Sequence, residues 1–235
     1  MISFDGNSID DKERSFIVAE AGVNFRDDIE LAKALIKEAA IAGADAVKFQ
    51  THVPEAEMVE HEKRELNMRD LYERMVVDDL QMDEHREPKT HCEGLNVSFL
   101  PTPCAPAAVE RLEELGVGAY KVGSGELTNH HLLRTIAETG KPMIVSTGMH
   151  DMATVRETSE LLNECDAEFM FLYCVSEYPT EPSDFNFGLI NRMRSEFDVP
   201  VGFSDHSTGV EAAAVAMARG AALVEKHFTI DRRLP

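Results

Sequence analysis

Basic residues are scarce in this chain. Its 235 residues carry 23 lysines and arginines against 43 aspartates and glutamates, a formal charge of −20. That balance excludes nucleic acid as a partner, because gripping a phosphate backbone needs basic surface. Long apolar runs are missing as well. No stretch approaches the roughly 18 residues of a membrane-spanning helix. Residues 1–14 are polar and acidic, without the basic start and apolar stretch of a signal peptide. No membrane association and a cytoplasmic location are therefore expected. Cysteine is limited to Cys92, Cys104, Cys165 and Cys174, with no CxxC pair, so isolated reduced thiols are expected. Neither a linker nor a short-period repeat interrupts the chain, and its 43% hydrophobic content suffices for one full core. A single domain over residues 1–235 is expected. The acidic excess suits a halophilic-like, salt-adapted cytoplasm, because molar salt shortens the Debye length to about 3 Å and relieves self-repulsion.

What is present is a rhythm of strands and helices. Residues 16–19 form a short buried-strand run. Ile29 to Ala42 repeats apolar residues at helical spacing behind the capping residues Asp27 and Asp28, and 46–49 is the next strand. Residues 54–82 read as a long acidic, methionine-rich excursion, the kind of loop that serves as a lid or binding loop. Asp83 to Glu93 has helical character, with Pro88 expected to kink or shorten it. Further strands are expected near 97–100, 119–122, 142–146, 169–174, 200–203 and 222–226. Helices are expected near 105–115, 129–139, 151–164, 185–196 and 209–219. Eight strands alternating with helices imply parallel pairing, right-handed crossovers and a (β/α)8 barrel.

A polar cluster follows nearly every strand in the second half. In order they are 121–126, 146–148, 176–179, 204–207 and 225–228. A barrel gathers such strand-end residues at one mouth. Lys48 and Lys121, with the hydroxyls of Thr102, Ser124 and Ser146, supply charge and short donors for a small, highly charged anion. His206 and His227 end neighbouring strands and can approach each other as ligands of Mn²⁺, Fe²⁺, Co²⁺ or Zn²⁺. Asp205 sits beside His206 but points differently along the strand. Glu20, Glu126 and Glu225 are strand-end carboxylates suited to proton transfer, hydroxyl binding or ion pairing. His130 and His131 are expected at a helix start rather than as ligands.

These segments resemble a known family. Phe-Ile-Val-Ala-Glu-Ala-Gly-Val-Asn (16–24), Gly-Ala-Asp-Ala-Val-Lys-Phe-Gln-Thr (43–51), Tyr-Lys-Val-Gly-Ser-Gly-Glu-Leu-Thr-Asn (120–129), Ser-Thr-Gly-Met (146–149), Val-Ser-Glu-Tyr-Pro-Thr (175–180), Gly-Phe-Ser-Asp-His-Ser (202–207) and Glu-Lys-His-Phe-Thr (225–229) are similar to motifs of the N-acetylneuraminate (sialic acid) synthase family. The resemblance spans residues 16–235. It implies a TIM barrel that condenses phosphoenolpyruvate (PEP) with an N-acylated amino sugar, N-acetylmannosamine or a relative, to give a nine-carbon 2-keto sugar acid and phosphate. It implies a divalent metal, Mn²⁺ in the first place, on His206 and His227. Lys48, Thr102, Lys121, Ser124, Ser146, Ser176 and Tyr178 match PEP-contacting positions. Glu20 and Glu126 match active-site carboxylates, Glu20 to orient water or substrate and Glu126 to handle protons. Legionaminic or pseudaminic acid synthases and spore-coat polysaccharide enzymes share the motifs, so the sugar stays open. A metal-dependent pyruvate aldolase and a truncated, non-catalytic PEP-binding barrel are the alternative readings.

Three departures from the family pattern stand out, one being Pro88 where a regular helix is usual. Asn24-Phe25-Arg26-Asp27 replaces the usual Asn-His-Asn-Gly. The family also continues beyond the segment matching 231–235 into a final helix and a small antifreeze-like domain, which in a dimer lends an arginine to the partner's sugar site. The expectation is thus a barrel without its last helix and without that domain, associating as a homodimer or with the missing C-terminal part.

Overall fold

Each short apolar run bounded by glycine or proline becomes one parallel strand. The computed structural model describes residues 1–10, 14–22, 25, 28–57 and 82–233. An N-terminal hairpin, β1 (Ile2–Phe4) and β2 (Asn7–Ile9), precedes the repeating unit. Then come β3 (Phe16–Gly22), α1 (Ile29–Ile41), β4 (Ala46–Thr51), a short α2 (Pro54–Glu57), α3 (Met82–Gly94), β5 (Ser98–Pro103), α4 (Pro106–Leu115) and β6 (Tyr120–Val122). The second half adds α5 (His130–Glu138), β7 (Met143–Ser146), α6 (Met152–Glu164), β8 (Phe169–Cys174), α7 (Gly188–Phe197), β9 (Val201–Asp205), α8 (Glu211–Ala218) and β10 (Leu223–His227).

β3 to β10 form one eight-stranded, all-parallel sheet in the order β5-β4-β3-β10-β9-β8-β7-β6. First and last strands of the chain's barrel are thus neighbours, β10 against β3, which is the expected (β/α)8 barrel. The ring of ladders is open at one place. β5 and β6 lie side by side but form the two ends of the hydrogen-bonded order. Caps fix the helix starts: the side chains of Asp28, Asn129 and Asp151 accept from the backbone N–H groups of Leu31, Leu132 and Thr154. The excursion 54–82 lies outside the described residues save α2 and Met82. α3 runs through Pro88 rather than stopping there. A proline inside a helix costs about 3 kcal/mol, and here the packing of α3 on α1 and β5, with Pro88, His85 and Cys92 buried, outweighs that cost.

Strands bury both faces. Outward residues such as Val47, Phe49, Phe99, Val145, Phe171 and Phe203 meet the helix layer. Inward residues fill the barrel floor: Phe16, Val18, Ala46, Leu100, Ala119, Ile144, Met170, Leu172 and Leu223. The hairpin plugs that floor, since Ile2, Phe4 and Ile9 belong to the same cluster and Phe4 meets Phe16 edge to face at 5.7 Å. Its turn is Asp5-Gly6, both at positive φ (49° and 76°), the two-residue turn whose twist matches paired strands.

The plug predicts a stability effect far from the mouth. Ile9→Ala, at a position 1% exposed, is expected to cost about 2–5 kcal/mol, read by urea unfolding at fixed salt. An unchanged midpoint would mean that the hairpin is not part of the cooperative core.

Candidate functional site

A strand's side chains alternate between faces, so the residue two places beyond each floor residue points into the upper barrel. Val18 leads to Glu20, Ala46 to Lys48 and Gln50, Leu100 to Thr102, Ala119 to Lys121 and Ile144 to Ser146. Leu172 leads to Cys174, Gly202 to Ser204 and His206, and Leu223 to Glu225 and His227. All of these upper residues line one cavity of about 310 Å³, together with Ser124, Met149, Ser176 and Tyr178. Apolar floor and polar mouth therefore follow from one two-residue step.

At the base of the cavity four charged groups interlock. Lys48 Nζ donates to Glu225 Oε1 at 2.9 Å and lies 2.6 Å from Glu20 Oε2. Lys121 Nζ donates to Ser146 Oγ at 2.7 Å and to Val122 O at 2.9 Å, and sits 3.9 Å from Glu225 Oε2. Ser204 Oγ donates to Glu225 Oε1 at 3.1 Å. Burial pushes the Lys48 ammonium down to about 8, with Lys121 adding to the shift and Glu225 opposing it. Burial would raise Glu225, but the charges of Lys121 and Lys48 outweigh it and hold the carboxyl at about 2. The network is not saturated. Both oxygens of Glu20, Thr102 Oγ1 and Glu225 Oε2 are buried without a hydrogen-bond partner among the described residues. Glu20 is ion-paired at short range, yet off the line that a hydrogen bond needs.

The imidazoles stand above this base. His206 Nδ1 donates to Val175 O at 2.7 Å, which leaves Nε2 as the acceptor, and Tyr178 Oη donates to it at 2.9 Å. The Tyr178 ring stacks on His206 at 4.0 Å, and the His206 and His227 rings are 5.8 Å apart. Burial lowers the pKa of His206, and burial with the Lys48 charge brings His227 down to about 4, so both rings are neutral near pH 7. Asp205 is not a third ligand: Oδ1 accepts from Ser207 N and Oγ, and Oδ2 from Lys226 Nζ at 2.7 Å. Ser124 is fixed from two sides, its Oγ accepting from Gly148 N at 3.0 Å and its carbonyl meeting His150 Nε2 at 3.0 Å. Gly148 is required there, because a Cβ would collide with the hydroxyls of Ser176 and Ser124.

Ten of the eleven site residues expected from sequence thus line one cavity: Glu20, Lys48, Thr102, Lys121, Ser124, Ser146, Ser176, Tyr178, His206 and His227. Glu126 does not. It closes the one-turn 3₁₀ helix Ser124–Glu126, and its Oε2 accepts from Asn129 Nδ2 at 2.6 Å. Gln50 and Cys174 are lining residues that the sequence does not single out, although each sits two places from one that it does, and Ser204 lines the cavity from the expected cluster 204–207. His130 and His131 are exposed at the start of α5, as expected. At the rim, outside the lining, His52 stands between Glu57 and Cys104. Burial opposes its protonation, but Cys104 and Glu57 outweigh burial and raise it to about 10.

Among the described residues no helix is long and apolar enough to cross a membrane. Comparison with known proteins agrees with the geometry. An uncharacterized protein of Methanocaldococcus jannaschii is 39% identical over 94% of this chain and 64% of its own length. The N,N'-diacetyllegionaminic acid synthase of Campylobacter jejuni is 35% identical over 94% of this chain and 70% of its own length. The chain therefore spans about two thirds of the length of these curated relatives. The crystal structure of an N-acetylneuraminic acid synthetase from Leptospira borgpetersenii, in complex with citrate, superposes with a TM-score of 0.91 at 32% identity, covering 99% of this chain and 79% of that one. Residues 35–235 match the model of the NeuB family. With barrel, mouth and motifs in agreement, the chain belongs to the NeuB family.

Proposed function

We propose that this chain condenses PEP with an open-chain N-acylated amino sugar, N-acetylmannosamine or a related 6-deoxy diacetamido sugar, releasing phosphate and a nine-carbon 2-keto sugar acid. The observation that carries the reading is the pair of buried lysines held beside unpartnered polar atoms at the base of the cavity. Buried polar groups without partners are rare in native proteins and call for a ligand or water. A small anion with phosphate and carboxylate ends answers to Lys48, Lys121, Thr102, Ser124, Ser146 and Ser176 together. The relatives support the class of product, since their names include N,N'-diacetyllegionaminic acid, pseudaminic acid and N-acetylneuraminate-9-phosphate synthases.

Glu225 keeps both lysines aimed and opposes the loss of charge on Lys48. Two carboxylates, Glu20 and Glu225, face two ammonium groups, Lys48 and Lys121, below two histidines whose pKa values burial lowers. A polyanion entering this cavity must then bring a cation with it. His206 Nε2 and His227 fit a divalent metal: both rings are unprotonated, and the Val175 carbonyl orients His206 as second-sphere partners orient metal-bound imidazoles. Mn²⁺ is the metal that we propose; when bound it would polarise the sugar aldehyde and balance the anion's charge. Tyr178 must release His206 Nε2 for this, and its 66% exposure leaves it room to swing. Glu20, buried and unsatisfied, orients the attacking water or a sugar hydroxyl. Glu126 acts indirectly, by holding the loop that presents Ser124.

Phosphate release from PEP with Mn²⁺ in molar KCl, across a panel of N-acylated amino sugars, tests the reading and names the sugar. Sugar-dependent release is expected, falling about 100-fold or more in His206→Ala. No release from a folded chain with any sugar overturns the proposal.

Lys48 makes the reaction pH-dependent. Its charge is present below a pKa of about 8 and lost above it, so KM for PEP is expected to climb as pH rises through that value, with Lys48→Arg flattening the profile. A KM that holds steady on both sides of that pH would remove Lys48 from anion binding.

Glu225→Gln leaves two buried cations with one fewer partner. It is expected to destabilise the protein by about 3–5 kcal/mol at neutral pH, with inorganic phosphate restoring part of the loss in urea unfolding. Insensitivity to phosphate would show that the lysines do not face the anion.

A further inference from the structure

We propose that His52, Glu57 and Cys104 form a second metal site, at the rim of the barrel, that takes a thiophilic divalent cation of the Zn²⁺ type. The three come from separate pieces of chain: the residue after β4, the end of α2 and the residue after β5. Backbone geometry holds them together, since Cys104 N donates to Thr51 O at 3.2 Å. His52 Nδ1 is 2.8 Å from Glu57 Oε2, and His52 Nε2 is 4.0 Å from Cys104 Sγ. One ligand atom from each lies within 4.8 Å of the others. Ligands about 2.0–2.3 Å from a tetrahedral ion lie roughly 3.5 Å from one another, a spacing inside the 4.8 Å that spans one donor atom from each of the three residues. Glu57 Oε1 is anchored by Val53 N at 2.5 Å, which leaves Oε2 for a metal.

The donor set decides the metal. Imidazole, carboxylate and thiolate with one open position suit Zn²⁺, whereas a thiolate is a poor ligand for the harder Mn²⁺. The rim site and the histidine pair in the cavity therefore select different ions. The rim site also touches the cavity wall: Gln50, a lining residue, places its Oε1 3.1 Å from His52 Nε2. An ion here clips the ends of β4 and β5 to α2. Metal entry releases the thiol proton and the proton between His52 and Glu57. None of the three ligands lines the cavity, so the proposal does not rest on the synthase reading.

Cobalt substitution gives the test, because a thiolate on Co²⁺ produces a strong sulfur-to-metal charge-transfer band that imidazole and oxygen ligands do not. The chelator-treated full chain titrated with Co²⁺ is expected to develop this band, and Zn²⁺ to displace it. The band should vanish in Cys104→Ser and persist in His206→Ala and in Cys174→Ser, the variant of the thiol that lines the cavity. Glu57→Gln keeps the thiol and should weaken Co²⁺ binding about 10–100-fold, a second arm that does not depend on Cys104→Ser folding. A natural chain without the band, a band that survives in folded Cys104→Ser, one lost in Cys174→Ser, or full affinity in Glu57→Gln overturns the proposal.

Discussion

One carboxylate organises the mouth of this barrel. Glu225 stands between Lys48 and Lys121, receives Ser204, and is itself held ionised by the lysines it serves. A buried ion pair is weak evidence of stability, because desolvation offsets most of the attraction. What it gives here is position. Two long, flexible side chains that would otherwise search many rotamers are fixed with their ammonium groups toward one volume. Each lysine faces a carboxylate, and buried hydrogen-bonding capacity is left over on Glu20, Thr102 and Glu225.

The fold was readable because barrel strands are buried on both faces and appear as short apolar runs. Their ends were less readable. β5, β9 and β10 run past the expected ends, through Thr102-Pro103, Ser204-Asp205 and His227, because a backbone ladder is indifferent to side-chain polarity. Those polar extensions are the site. The hairpin was overlooked as an acidic terminus, although Ile2, Phe4 and Ile9 flank an Asp-Gly turn, the strongest short-range hairpin signal. α3 ran through Pro88 because tertiary packing outweighed local preference.

Most candidate residues were legible from strand-end position and from family motifs, and they converge. Glu126 is not among the lining residues: it closes a 3₁₀ turn, and its carboxylate accepts from Asn129. Gln50 follows from Lys48 by the same two-residue step that connects floor to mouth. The rim trio was invisible in sequence: His52 and Glu57 are close, but Cys104 meets them only because β4 and β5 pair in register, Thr51 opposite Pro103.

The open place in the ring of ladders bears on how the cavity yields. Seven of the eight junctions between strands are stitched by backbone ladders; between β5 and β6 there is none among the described residues, although the two strands lie side by side. Thr102 and Lys121 stand on opposite sides of that seam. A hoop under strain opens where it is not welded, so small changes in the girth of the barrel concentrate between the unpartnered hydroxyl and the buried ammonium. The compliant wall of the vessel is the one that faces its charge.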